Sequence, residues 1–294
     1  MAAIKKATVA QWIEGARPRT FPNAVAPVIM GAGLAAEIDT FIWWKSLLAL
    51  AVSLTLIIGV NFANDYSDGI RGTDADRVGP LRLVGSGLVE PKKVLFAALF
   101  ALFAAGVFGL LLIALTHHWW LLIPGAACLV AAWFYTGGRH PYGYVGLGEI
   151  AVFTFFGLAG VLGTAYVQTN SVNWHGIVCA VSIGALSTAV LTANNLRDIP
   201  TDKVSGKHTL AVRLGDRGTR ALYCALVAVP LIATILLGLE EPLALLGILA
   251  LILSVRPLRV ITSGKTGREL IPVLRDTGIA MVTWALLTSI ALAI

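Results

Sequence analysis

Long stretches of this chain carry no charged side chain at all. Residues 20–36, 46–64, 94–138, 150–196, 221–239, 242–255 and 277–294 contain no Asp, Glu, Lys or Arg. A bilayer-crossing helix takes ~20 apolar residues, with a usual range of about 17–25. Five of the seven runs therefore predict one helix each. The runs 94–138 and 150–196 are about twice that length and predict two each. Their breaks lie at the polar and aromatic stretches Thr116-His117-His118-Trp119-Trp120 and Gln168-Thr169-Asn170-Ser171-Val172-Asn173-Trp174-His175. The pattern predicts nine spans, of which the eighth, near 242–257, is the shortest.

Composition agrees with the pattern. Of 294 residues, 57% are hydrophobic and 13% charged, and the mean hydropathy is +0.82. A soluble domain carries roughly 25% charge, so the composition points to an all-α integral membrane protein, a single transmembrane domain over 1–294. Nine spans put the termini on opposite sides. With the N-terminus inside, 21 of the 22 basic residues fall on cytoplasmic segments and only Lys45 outside, while Glu37, Asp39, Glu240 and Glu241 are external. That asymmetry is the positive-inside bias of a multi-pass cell-membrane protein, and it removes the need for a nucleic-acid partner. Residues 1–19 read as an interfacial segment anchored by Trp12, because Gln11, Glu14, Arg17 and Arg19 interrupt any signal-peptide apolar core. Pro22 and Pro27 should bend the first span. Cys128, Cys179 and Cys224 lie in apolar runs and read as buried thiols. His117, His118 and His175 read as external interfacial residues.

Two of the internal loops are unusual. Asn61, Asp65 and Asp68 are spaced i, i+4, i+7, and Asn194, Asp198 and Asp202 i, i+4, i+8, so each set shares one helix face. Pro200 should end or kink the second helix and bring Asp202 in from a bend. Carboxylates on one face at the edge of hydrocarbon repel one another and lose their hydration. A divalent cation relieves both costs, and carboxylate and amide oxygens are hard ligands suited to Mg²⁺, which fills the rest of its shell with water and substrate phosphate. Neighbouring Lys and Arg side chains would grip the remaining phosphate oxygens. The two clusters thus look like two halves facing one shared anion. A secondary transporter is the alternative from another class, but transporter sites favour the midplane, whereas these acids sit at cytoplasmic span ends beside several bases.

Asn64-Asp65-Tyr66-Ser67-Asp68 and Asp198-Ile199-Pro200-Thr201-Asp202 resemble the N-D-x-x-D and D-x-x-x-D signatures of the UbiA superfamily of intramembrane prenyltransferases. Gly72 stands where that family often has a further Asp. Arg71-Gly72-Thr73-Asp74 is instead similar to the K-G-x-D variant of the quinone branch that prenylates 1,4-dihydroxy-2-naphthoate. Gly79-Pro80-Leu81-Arg82, Tyr135-Thr136-Gly137-Gly138, Tyr142-Gly143-Tyr144, Gly146-Leu147-Gly148-Glu149, Gly206-Lys207-His208-Thr209-Leu210 and Val212-Arg213-Leu214-Gly215 resemble the same branch. The resemblance implies nine helices ringing a central cavity that opens near the cytoplasmic face, with a lateral gap toward lipid. It implies transfer of a polyprenyl chain from its diphosphate to 1,4-dihydroxy-2-naphthoate with decarboxylation, giving demethylmenaquinone for menaquinone biosynthesis. Mg²⁺ would be held by Asp65, Asp68, Asp198 and Asp202, with Asp74 as a further ligand. Asn64 and Asn194 would add oxygen ligands or orient those carboxylates, and Arg71, Arg139, Arg197, Lys207 and Arg213 are the candidates for the diphosphate. Tyr135, Tyr142 and Tyr144 would flank the allylic cation or the acceptor. Glu149 would deprotonate the acceptor or pair with Arg139. Another aromatic acceptor, 4-hydroxybenzoate or homogentisate, is the alternative within the family.

Overall fold

The structure, a computed structural model, describes residues 7–72 and 81–294. Among the described residues there is helix and no strand. We number the helices α1 (Val9–Ala16), α2 (Pro22–Ala36), α3 (Trp43–Arg71), α4 (Pro91–Thr116), α5 (Trp119–Phe134), α6 (Gly148–Thr169), α7 (Trp174–Val204), α8 (Leu210–Gly238), α9 (Pro242–Thr262) and α10 (Gly267–Ala293). Seven of them, α3, α4 and α6 to α10, are long and apolar enough to cross a membrane, and α2 and α5 are apolar but shorter. At 1.5 Å per residue α2 reaches only about 22 Å, against a hydrocarbon core of about 30 Å.

The polar interruptions in the two long apolar runs become the turns between helix pairs. His117 and Asn170 adopt left-handed backbone, which terminates a helix by turning the chain away from it. Asn173 then starts α7 by accepting the Gly176 N–H at 2.8 Å. The short α1 begins with a reciprocal cap between Thr8 and Gln11. Its Trp12 meets the edge of Phe62 with ring centroids 5.6 Å apart, so α1 packs onto α3.

The core forms around α7, most of whose apolar length is buried. Small residues on α7 let neighbours approach closely. Against it lies a π-helical stretch of α6, Phe153–Leu162, and a Cβ on Gly157 would stand 2.5 Å from the Gly184 Cα. The expected break at Pro200 does not occur: α7 runs through it to Val204. The proline removes one N–H, and a helix end beside a polar loop tolerates that loss. Lipid-facing positions carry exposed Phe96, Phe100 and Phe103 on α4 and Ile232 and Leu236 on α8.

Opposite the two aspartate motifs, the connectors are tied together by His175. Its sequence context predicts an external interfacial residue, but it is buried. Nδ1 meets the Glu37 carboxylate in a short contact, and Nε2 lies 3.3 Å from Glu240. The three acidic and basic groups come from three separate helix ends, which the sequence pattern did not bring together.

Candidate active site

The C-terminal half of α3 exposes a polar stripe of Asn61, Asn64 and Asp68, at i, i+3 and i+7, to a cavity of about 630 Å³. On the facing helix α7, Asn194, Asp198 and Asp202 line the same cavity. The two motifs therefore share one polar end. Beyond it the cavity becomes an apolar bore walled by α3 to α6, with Leu56, Leu110 and Phe155 among its sides, and it runs on to Leu121 and Val167 near the opposite connectors. A Cβ at Gly125 or Gly163, both on the bore, would meet only open space.

Asp68 is the centre of the polar end. Lys207 Nζ donates to its Oδ1 at 2.9 Å, Arg82 Nη2 lies 3.8 Å from Oδ2, and the Tyr144 hydroxyl donates a short hydrogen bond to Oδ1. Gly206, at φ +74°, reverses the chain after α7 and so delivers Lys207 to this point. The Lys207 ammonium also sits 4.5 Å over the Tyr144 ring. Burial, then the neighbouring Asp68 charge, pushes the Tyr144 phenol well above its ordinary range, so it remains a hydrogen-bond donor. Burial pushes Tyr142 up to about 12. Tyr142 donates to the Ala131 carbonyl at 2.8 Å and packs edge-on against Tyr135, and all three tyrosines line the cavity.

On α7, Arg197 holds Asp198 with both ends of its guanidinium, Nε to Oδ1 at 2.7 Å and Nη2 to Oδ2 at 2.8 Å. Nη2 also donates to Asn194 Oδ1 at 2.8 Å. Such a planar two-point pairing fixes a carboxylate's direction. Asp202 meets the Thr209 hydroxyl at 3.5 Å, and Thr209 also caps α8. Asn64 accepts from Thr136 at 2.7 Å.

Several sequence-predicted residues are elsewhere. Asp65 is fully buried on the flank of the stripe and accepts the backbone N–H groups of Leu83 and Val84 at 2.7 and 2.9 Å. Its oxygens face the 81–84 segment rather than the cavity. Arg71 donates to the carbonyls of Thr136 and Gly138. Arg213 joins the carbonyls of His208 and Val145. Both staple loops around the site without lining it. Arg139 is exposed and away from the cavity, and Glu149 pairs with Asn195 rather than with it. Asp74 lies outside the described residues. Conversely, Arg17 and Arg19 line the cavity, although their sequence context marks only an interrupted apolar segment on the cytoplasmic side. Arg82 counts among the cytoplasmic bases and within a family-like segment, but nothing in local spacing links it to Asp68.

The donor chemistry fits a hard cation in part. Asp68, Asp198 and Asp202 with the amides of Asn64 and Asn194 give oxygen ligands on both sides of one cavity. Among the described residues, however, no three His, Cys, Asp or Glu side chains converge on one metal-sized point. The arrangement suits ions that take one or two carboxylates and complete their shell from a phosphate.

Residues 24–270 match the UbiA prenyltransferase family. The chain is 58% identical over 287 residues to the 1,4-dihydroxy-2-naphthoate octaprenyltransferase of Mycobacterium tuberculosis, covering 98% of each protein. It is 38% identical to the Escherichia coli protein of the same name, over 95% of this chain and 92% of that one. The fold is similar to that of a UbiA homolog from Archaeoglobus fulgidus solved with DMAPP and Mg²⁺. The TM-score is 0.66 at 13% identity, with 97% and 99% of the two chains covered.

Proposed function

Because this chain belongs to the UbiA prenyltransferase family, we propose that it transfers a polyprenyl chain from its diphosphate to 1,4-dihydroxy-2-naphthoate, with loss of the ring carboxylate as carbon dioxide, giving demethylmenaquinone and pyrophosphate. One observation supports this above the others. Asp68 and Asp198, far apart in sequence, line the polar end of a cavity whose remaining length is apolar. That division matches a substrate with an anionic head and a hydrocarbon tail. We also read α2 and α5 as membrane segments, which makes nine around the cavity, with the aspartate end cytoplasmic as the basic residues indicate.

The mechanism follows from the polar end. Lys207, Arg82, Arg17 and Arg19 give the diphosphate a cationic reception. Asp68, Asp198 and Asp202, with Asn64 and Asn194, are the residues that would hold Mg²⁺, which when bound neutralises a departing pyrophosphate. Tyr144 steadies Asp68 from one side while Lys207 spans Asp68 and the anion. The bore takes the prenyl chain and keeps water from the reacting carbon. Tyr135 and Tyr142, held protonated by burial, present ring faces near the junction of head and tail, where positive charge develops. The electron-rich naphthoate attacks there.

Purified protein supplied with Mg²⁺, a prenyl diphosphate and a panel of aromatic acceptors tests the reading, with products scored by mass spectrometry. Prenylated naphthoquinol is the expected product, and Asp68→Ala and Asp198→Ala should each lose about 10²-fold or more in turnover. Turnover that persists in excess EDTA, or in both variants, would overturn the metal and carboxylate assignments. Product from 4-hydroxybenzoate or homogentisate in place of the naphthoate would overturn the acceptor.

A further inference from the structure

Glu149 opens α6 next to the cavity and is 95% buried, with 5% of its surface exposed. Its Oε1 accepts the Asn195 Nδ2 hydrogen at 2.9 Å, and its Oε2 has no hydrogen-bond partner among the described residues. A carboxylate buried in this way is expensive, and the reaction chemistry assigned above to the aspartates does not use it. Asn195 lines the cavity. A carboxylate only accepts, so it selects the amide's NH₂ side; with that side engaged by Glu149, the Asn195 Oδ1 is left for another donor. A Cβ built on Gly148 would lie 3.3 Å from the Tyr135 hydroxyl and 3.5 Å from Leu191. Tyr135 and Leu191 also line the cavity, and Leu191 lies one helical turn before Asn195 on α7. Glu149 therefore stands behind the place where polar end and apolar bore meet.

We propose that Glu149 is a positioning residue for the aromatic acceptor: it fixes the Asn195 carboxamide so that Oδ1 accepts the hydrogen of a ring hydroxyl. This rests on the prenyl-transfer reading. A donor hydroxyl on the acceptor becomes a requirement, since an aromatic ring lacking one leaves a buried carbonyl unpaired. The diphosphate is held by other residues and does not depend on this pair.

The test is steady-state kinetics of the full-length protein in nanodiscs, with the acceptor and the prenyl diphosphate varied separately. The acceptor used is whichever hydroxylated aromatic the wild type prenylates. Glu149→Leu and Asn195→Ala should each raise KM for the acceptor about tenfold while KM for the diphosphate stays within about twofold. Glu149→Gln keeps an acceptor oxygen and should recover most of the loss. The double variant Glu149→Leu/Asn195→Ala should be no worse than Asn195→Ala alone. Equal rises in both KM values, no rise, or an additive double variant would overturn the inference. If Glu149→Leu does not fold, Asn195→Ala and Glu149→Gln decide it, and an unchanged acceptor KM in Asn195→Ala overturns it. A wild type that prenylates no acceptor overturns the functional reading and the inference together, whereas an active wild type with the wrong variant pattern overturns the inference alone.

Discussion

Asp65 and Asp68 sit three residues apart on α3 and do opposite jobs. Asp68 faces the cavity between Lys207, Arg82 and Tyr144. Asp65 binds the backbone of Leu83 and Val84, which sets Arg82, the residue just before them, against Asp68. Asp65→Ala should therefore lower the melting temperature as well as turnover, since each buried amide it leaves unpaired costs about 1–3 kcal/mol. Asp68→Asn keeps an acceptor oxygen for Tyr144 and Lys207 and should lose turnover even in the fraction that stays folded, beyond any fall in melting from the unpaired cations; thermal scans alongside activity separate the two. Helical spacing made both acids candidates, because i+3 and i+4 each keep a residue near one stripe. Which of them points inward is decided by a segment after position 80, and that was not legible locally. Tyr142 carries the pH signature. Its folded-state value is raised to about 12, so the stability it contributes is complete below the unfolded value of about 10 and is lost as pH rises from there through about 12. A pH series of melting temperatures on wild type and Tyr142→Phe should diverge only above about pH 10.

At the scale of elements, the charge-free runs located the apolar helices and the polar breaks between paired ones, since burial in lipid permits little else. Their lengths were less legible. The run 46–64 became Trp43–Arg71, because a membrane helix continues into polar residues whenever a cavity or loop satisfies them. The π-helical stretch of α6 had no signature either; it packs backbone to backbone against α7 at Gly157 and Gly184. That contact gives a prediction. Gly157→Ala would set a methyl 2.5 Å from the Gly184 Cα and should destabilise the bundle by about 1–3 kcal/mol, read as a lower melting temperature. Gly125→Leu enters open bore and should melt like wild type. Its cost should fall on substrate choice, with kcat/KM dropping more for long prenyl diphosphates than for short ones.

For the molecule as a whole, chemistry collects at one end and anchoring at the other. The anchoring end depends on His175, which touches both Glu37 and Glu240. His175→Ala leaves the Glu37 carboxylate buried without its partner and should cost on the order of 2 kcal/mol, visible as reduced melting with near-normal kinetics in the surviving folded fraction. Between the two ends the bundle is hollow from Asp68 almost to Val167. A detergent molecule with a single alkyl chain and an anionic head has the same outline as the donor proposed for this hollow. Extraction into such a surfactant should therefore inhibit as it solubilises, read as turnover that recovers when the protein is moved into bilayer lipid.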